Sequence, residues 1–182
     1  MVYVFLAEGF EEVEAIAPID LLRRAGVSVE TISINPDRRS VTGAHGIYVM
    51  ADKSLDDINV SDAEMLIFPG GAPGTDNLAK CDKLMSLLDQ AVSSGCKIAA
   101  ICAAPAKILG VRGYLQARKA VCFPGLEDML KGAEVYYDSV VTDGNFTTSR
   151  GLGTAALFGI ELIRVLCGQE KADEIKNKVV LS

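Results

Sequence analysis

One cysteine lies between two elements that the sequence predicts. Lys97–Ile101 is a short, mostly apolar run typical of a buried strand, and Cys102 follows it directly. Small residues come next, and a short helix is predicted over Ala103–Leu109, ending at Gly110. Strand, reactive side chain, small residues and helix in this order are typical of a nucleophile elbow, which exposes its nucleophile at the carboxyl edge of the sheet. The sequence therefore predicts a nucleophilic thiol at that edge.

The pKa of this thiol decides whether it can react. A helix that begins beside Cys102 offers it free N–H groups and a partial positive charge, and both favour the thiolate. We therefore expect Cys102 to have the lowest pKa of the five cysteines. The alternative is a structural cysteine, because free cysteine is among the residue types most often buried. The local pattern does not separate these interpretations, whereas Cys122 is most simply a core residue of a strand.

A glycine-rich turn, Pro69-Gly70-Gly71-x-x-Gly74, follows the predicted strand Met65–Phe68. Its backbone N–H groups could stabilise an oxyanion beside Cys102. A dinucleotide-binding loop is the weaker interpretation, since the spacing is not G-x-G-x-x-G. Taken alone, the turn would most simply be an ordinary glycine-rich turn.

Three carboxylates, Glu11, Glu12 and Glu14, begin the first predicted helix, Glu11–Ala25. Carboxylates at a helix N-terminus are common, and Glu11 and Glu12 fit that pattern well. Glu14 lies beside the apolar stripe, and Pro18 removes the hydrogen bond to its carbonyl group. We expect Glu14 to reach the sheet edge, where burial would raise its pKa and let it act as a proton donor or base.

Two further residues are weaker candidates for the pocket. Arg150 lies in Thr148–Thr154, between a strand and a helix, which could bind an anion or simply be a tight packing turn. His45, the one histidine, lies in a predicted hairpin over Val41–Met50 and is expected at the surface.

The fold prediction rests on apolar runs that alternate with helical patterns, as in βαβ units around a mainly parallel sheet. We predict one domain over residues 1–182: a flavodoxin-like three-layer α/β sandwich with helices on both faces and a cysteine at the elbow. Further strands are predicted over Val2–Ala7, Val27–Ile34, Ala120–Phe123, Val135–Val141 and Phe146–Ser149, and further helices over Asp82–Ser94, Leu152–Leu166 and Gln169–Lys178.

Composition excludes several classes of function. The chain is 49% apolar and 23% charged, with a net charge of −6, so a nucleic-acid partner is not expected. No apolar run has the roughly 20 residues of a membrane span, and no signal peptide is evident. Five scattered cysteines without a C-x-x-C pair favour neither disulfides nor a metal site. We expect a reduced, cytoplasmic protein.

Four segments together resemble the ThiJ/PfpI superfamily, and within it the DJ-one (parkinsonism-associated) branch. They are LAEGFEEVEAIAPIDLLRRAG, FPGGAPGTDNL, AAICAAPAKIL and TTSRGLGTA, and their order and spacing span the chain. The resemblance implies a homodimer, a reactive Cys102, a protonated Glu14 beside it, and oxyanion contacts from the backbone of Gly71 and Ala103. Members are described as cofactor-free glyoxalases that turn methylglyoxal into lactate, as deglycases, and as oxidation-sensing chaperones.

The chain departs from human-type members of that branch at one position. Where they place a histidine beside the cysteine, this chain has Phe123. A Cys–His dyad is therefore not expected, which argues against the peptidase and amidotransferase branches. His45 falls where members can carry an arginine near the active site of the dimer.

The leading hypothesis is a glyoxalase or deglycase type of lyase or hydrolase without a cofactor. Cys102 would attack a reactive 2-oxoaldehyde or glycated substrate, and Glu14 would move the proton. One alternative is a stress sensor or redox chaperone based on oxidation of Cys102. Another is an interaction dimer without turnover.

Overall fold

A computed structural model describes residues 1–181, apart from the side chain of Asp62. Its strands are β1 (Val2–Leu6), β2 (Val29–Ser33), β3 (Ser40–Thr42), β4 (Tyr48–Met50), β5 (Lys53–Ser54), β6 (Met65–Phe68), β7 (Lys97–Ile101), β8 (Lys119–Ala120), β9 (Glu134–Val135), β10 (Val140–Asp143) and β11 (Phe146–Ser149). Its α-helices are α1 (Glu12–Arg24), α2 (Gly74–Ala79), α3 (Asp82–Ser93), α4 (Ala155–Cys167) and α5 (Gln169–Lys178).

Seven strands form the central sheet, in the order β10-β11-β7-β6-β1-β2-β5. All neighbours are parallel except β10, which pairs antiparallel with β11. The carboxyl ends of β6 and β7 therefore lie side by side, with Phe68 paired to Ala100. This register brings the glycine-rich turn and Cys102 to the same edge.

Helices cover both faces of the sheet, as predicted for a buried parallel sheet. Side chains alternate along β1: Val2 and Val4 pack with α1, α4 and α5, whereas Tyr3 and Phe5 pack with α3. Helices α1 and α4 approach closely at Gly159, where a Cβ atom would stand 2.6 Å from Cδ1 of Leu21. The three-layer prediction is therefore confirmed.

The structure corrects the prediction at several elements. The helix predicted over Ala103–Leu109 is a six-residue π-helical turn, Pro105–Gly110. The strand predicted over Ala120–Phe123 is only β8, which pairs with β9 outside the central sheet. The run predicted over Val135–Val141 is divided between β9 and β10, and α2 was not predicted. The start of the Leu152–Leu166 helix is a separate 3-10 turn, Leu152–Thr154, followed by α4.

Helix length bears on membrane insertion. The longest helices of residues 1–181 have 13 residues, whereas crossing a bilayer takes about 20 apolar residues. None of the helices in this range could span a membrane.

Candidate active site at the carboxyl edge of the sheet

Cys102 has the backbone of an elbow residue. Its φ angle is +65°, a left-handed conformation that costs a non-glycine residue about 1–2 kcal/mol. Two hydrogen bonds hold it there: its N–H donates to the carbonyl of Ser149 (3.0 Å), and its own carbonyl accepts from Phe123 (2.8 Å). The side chain is half-buried. The predicted elbow is thus present, held by the ends of β7 and β11.

Glu14 lies directly beside this thiol. Its side chain, in the first turn of α1, is 1% exposed and faces the side chain of Cys102. Oε2 also accepts the N–H of Gly70 at 3.0 Å, and the N–H of Leu152 faces the same carboxyl group. The structure therefore brings α1, the glycine-rich turn and the elbow together at one carboxyl group.

Gly70 is required by this close approach. A Cβ atom at this position would stand 2.3 Å from Oε2 of Glu14 and 2.5 Å from Cβ of Cys102. Only glycine lets the turn pass between the two side chains. The N–H groups of Gly71 and Ala103 both face the sulfur of Cys102 and stabilise its anion. Both are therefore candidates for the oxyanion donors that the resemblance implies.

Glu11 positions Glu14, a role that the sequence analysis did not assign. Its side chain accepts the N–H of Glu14 at 2.7 Å and caps α1, while its own N–H donates to the carbonyl of Gly70 at 2.9 Å. The spacing of Glu11 and Glu14 is that of a side-chain cap, so the pattern did contain the signal. The Leu152 N–H and the Ser149 carbonyl are backbone groups, and no side-chain pattern points to them.

The predicted low pKa of Cys102 is wrong. Burial, followed by the charge of Glu14, raises the pKa of Cys102 to about 12, although the N–H groups of Ala103 and Gly71 act in the opposite direction. Burial likewise raises the pKa of Cys122 to about 11 and that of Cys96 above its usual range. The positive potential at Cys102 is smaller than expected, because the π-helical turn begins only at Pro105. Desolvation of the sulfur and the adjacent carboxylate also disfavour the thiolate.

The predicted rise in the pKa of Glu14 is present. Burial and the nearby charge of Glu11 raise the pKa of Glu14 to about 7, against the hydrogen bonds from Cys102, Gly70 and Leu152. Glu14 can therefore take or give a proton near neutral pH, the range in which a general acid–base group works best.

The structure gives the two weaker candidates other contacts. The guanidinium of Arg150 donates to the carbonyl of Tyr137 at 3.3 Å. His45 is exposed, and its Nδ1 lies 3.0 Å from Oε2 of the buried Glu12, whose pKa it lowers. Within residues 1–181, neither side chain is hydrogen-bonded or ion-paired to Cys102 or Glu14.

Glu11, Glu12 and His45 are the kinds of residue that could bind a metal ion. Their ligand atoms lie within 4.8 Å of one another. Glu12 already accepts the N–H of His45 at 2.7 Å, and Glu11 caps the helix. We therefore assign the group to the connection between α1 and the β3–β4 hairpin.

A mostly parallel α/β sheet, with a cysteine in the left-handed backbone conformation beside a buried carboxyl group, defines the class of cysteine-elbow α/β proteins. Residues 1–165 match the DJ-1/PfpI family, and the chain belongs to it. It is 39% identical to protein DJ-1 homolog A of Arabidopsis thaliana over 99% of this chain, but spans only 46% of that plant protein. It is 32% identical to glutathione-independent glyoxalase DJR-1.2 of Caenorhabditis elegans, over 96% of this chain and 92% of that one. The structure of oxidized Toxoplasma gondii DJ-1 matches with a TM-score of 0.94 at 34% identity, over 98% and 97% of the two chains.

Proposed function

We propose that the protein is a cofactor-independent enzyme that converts 2-oxoaldehydes such as methylglyoxal into 2-hydroxy acids. The observation that carries this proposal is the position of the buried Glu14 carboxyl group beside Cys102, where a Cβ atom at Gly70 would stand 2.3 Å from Oε2 of Glu14 and 3.0 Å from Sγ of Cys102. The glyoxalase name of the nematode relative supports the substrate class. Thiol attack on a carbonyl group would also begin a deglycase reaction.

The first step is attack of Cys102 on the aldehyde carbon. Ionised Glu14 accepts the thiol proton as the sulfur–carbon bond forms, so the high pKa of Cys102 is overcome within the step. The carbonyl electron pair moves to oxygen, which faces the N–H groups of Gly71 and Ala103. Donors placed in this way are typically worth about 3–4 kcal/mol in the transition state. Glu14 passes the thiol proton to the oxyanion, which gives a hemithioacetal and leaves Glu14 ionised for the next step.

The second step moves a proton between the two carbon atoms. Glu14 removes the proton from C1, the C1–H electron pair becomes the C1=C2 bond, and the C2 carbonyl pair moves to its oxygen, which takes up a proton to give an enediol. Glu14 then returns the proton to C2 while the C1 hydroxyl gives up its own, so that C1 becomes the carbonyl carbon of a thioester. The resulting thioester is hydrolysed by water, which frees the 2-hydroxy acid and restores the thiol. C1 is oxidised and C2 is reduced within one molecule, so the balance needs no external oxidant. Phe123 offers no base, so Glu14 carries the proton in each transfer.

Lactate formation from methylglyoxal tests this proposal. We expect the wild type to form lactate and Cys102→Ser to lose activity by roughly a thousandfold or more. Cys81→Ser is the matched control and should keep wild-type rates, because Cys81 lies at the start of α3 and outside the site. Lactate formation that survives in Cys102→Ser would disprove the role of the thiol.

Oxidation sensing is the second candidate, and the two N–H donors at the sulfur favour it. The N–H groups of Gly71 and Ala103 could hold a sulfinate at Cys102, and a protonated Glu14 could donate to it. Mass spectrometry after mild peroxide treatment tests this function. It requires that Cys102 gains two oxygen atoms before the other cysteines do.

A homodimer is the quaternary state that we propose. An apolar patch, the α1–hairpin face, consists of side chains that are 40% to 75% exposed: Val13, Ile16, Ile47, Tyr48 and Met50. Apolar patches of this kind on soluble proteins mark interaction surfaces. A two-fold axis through α1 would cover the face on both copies at once.

We also propose that the chain works as one domain in the cytoplasm. The cysteines at 81, 96, 102, 122 and 167 are all free, which suits a reducing compartment. The family match over residues 1–165 supports a continuous domain.

A further inference from the structure

Two large apolar side chains are exposed beside the candidate active site. Phe123 is 48% exposed and Leu152 is 52% exposed. Both are tied to the reacting groups through their backbones: Phe123 donates to the carbonyl of Cys102 at 2.8 Å, and the N–H of Leu152 faces the Glu14 carboxyl group. Single exposed apolar residues are common, but a pair fixed at a reactive centre needs a reason.

The Phe123 ring and the Glu14 carboxyl group lie close together on either side of Gly151. A Cβ atom at Gly151 would stand 3.5 Å from Cδ2 of the Phe123 ring and 3.8 Å from Oε1 of Glu14. The aromatic ring and the carboxylate are therefore close enough for one substrate to contact both.

We propose that Phe123 and Leu152 form an apolar wall that selects 2-oxoaldehydes carrying an aromatic substituent over methylglyoxal. This inference rests on the proposed function and adds a substrate class to it. Docking of an aryl group would remove apolar surface of both partners from water, and ring–ring contact adds to the gain. The methyl group of methylglyoxal covers far less of the wall.

The first experiment compares kcat/KM for phenylglyoxal and methylglyoxal in the wild type, Phe123→Ala, Phe123→Tyr and Leu152→Ala. We expect the wild type to favour phenylglyoxal, and Phe123→Ala to lower the ratio of the two values by roughly tenfold, mainly through the KM of phenylglyoxal. Phe123→Tyr keeps the ring and should keep the ratio, and Leu152→Ala should lower it less. Val111→Ala, a change at a residue that is 40% exposed outside the site, is the control.

The second experiment does not depend on turnover. Iodoacetanilide and iodoacetamide alkylate thiols by the same chemistry, but only the first carries an aryl group. We expect the ratio of their labelling rates at Cys102, read by mass spectrometry, to exceed one in the wild type and to fall in Phe123→Ala. If neither aldehyde is consumed but this ratio behaves as stated, the proposed reaction fails and the wall stands. Labelling ratios that are equal in the wild type and Phe123→Ala would overturn the wall, whether or not the aldehydes are consumed.

Discussion

Glu14 and Cys102 compete for one proton, and burial decides the outcome. The pKa of Glu14 is raised to about 7 and that of Cys102 to about 12, so the thiol keeps its proton while the carboxyl group loses one near neutral pH. The resting site is therefore a thiol beside a carboxylate at mildly alkaline pH. Its reactivity depends on proton transfer during attack more than on a stored thiolate.

Variants of Glu14 should change the titration of Cys102 in a definite order. Glu14→Gln removes the negative charge and offers an amide donor, so the pKa of Cys102 should fall most. Glu14→Leu removes the charge without offering a donor, so the pKa should fall less. Thiolate absorbance against pH measures both, with Cys102→Ser subtracted to remove the other cysteines. We also expect aldehyde turnover to collapse in both variants. Identical titration curves in the wild type and both variants would mean that Glu14 has no effect on the pKa of Cys102.

The raised pKa of Glu14 also makes stability depend on pH. An unfolded Glu14 loses its proton near pH 4.5, while the folded protein holds it to about pH 7. The stabilisation is complete below pH 4.5 and is lost as pH rises through 7, which amounts to about 3 kcal/mol. Urea titrations at pH 5 and pH 8 should show this fall in the free energy of unfolding for the wild type.

Glu14→Gln should remove that part of the pH dependence. His45 acts in the same direction, because Glu12 raises its pKa. The variant His45→Asn therefore measures the histidine contribution separately. The same fall in the wild type and in Glu14→Gln would contradict the assignment to Glu14.

At the scale of elements, the turn after β6 must pass close to α1 and to the elbow at Cys102, and a substitution in the turn tests this requirement. Gly70→Ala would place a Cβ atom against both Glu14 and Cys102, so we expect loss of turnover. Gly153→Ala is the matched control, because nothing lies within 4 Å of a Cβ atom there. Kinetics with methylglyoxal and circular dichroism would separate a damaged site from a damaged fold. Full turnover in a folded Gly70→Ala protein would mean that the turn is not tight.

The elements that the sequence predicted well are those whose patterns are local. The run Met65–Phe68 is apolar between turn residues and is observed as a strand with those bounds, and Gln169–Lys178 is observed as a helix with those bounds. The segment Ala120–Phe123 has the same apolar character, but its partners are set by distant residues. The N–H of Val121 donates to the hydroxyl of Thr148, and Phe123 bonds to Cys102. The strand-like segment Ala120–Phe123 therefore supports the elbow instead of joining the central sheet, and its local sequence pattern does not predict this.

In the candidate site, too, local patterns were predicted correctly and properties that depend on distant residues were not. Cys102, Glu14 and the glycine-rich turn were found because their residue types and neighbours are unusual. The pKa of Cys102 was predicted in the wrong direction, because burial beside a carboxylate depends on how α1 meets β7. The backbone donor at Leu152 depends on the 3-10 turn that precedes α4.

At the scale of the whole molecule, the α1–hairpin face predicts the state of association. Ile16→Glu should turn a dimer into a monomer, because it places a charge in the centre of an apolar contact. Val180→Glu is the control, since Val180 is 90% exposed near the end of the chain, outside this face. Light scattering at micromolar concentration measures both masses. A wild-type protein that is already monomeric would contradict the proposed dimer.

The strand order also determines when the reactive centre can form during synthesis. Strand β1 pairs with β6, and β7 pairs with β11, so the strands within each of these two pairs are synthesised far apart in time. The N–H of Cys102 is bonded to Ser149, the last residue of β11, and that bond helps to hold the left-handed conformation. Pairing over such separations is slow to form. A chain still leaving the ribosome therefore carries an ordinary cysteine, and we expect the thiol to meet its oxyanion donors in full register only after the last strand has joined the sheet.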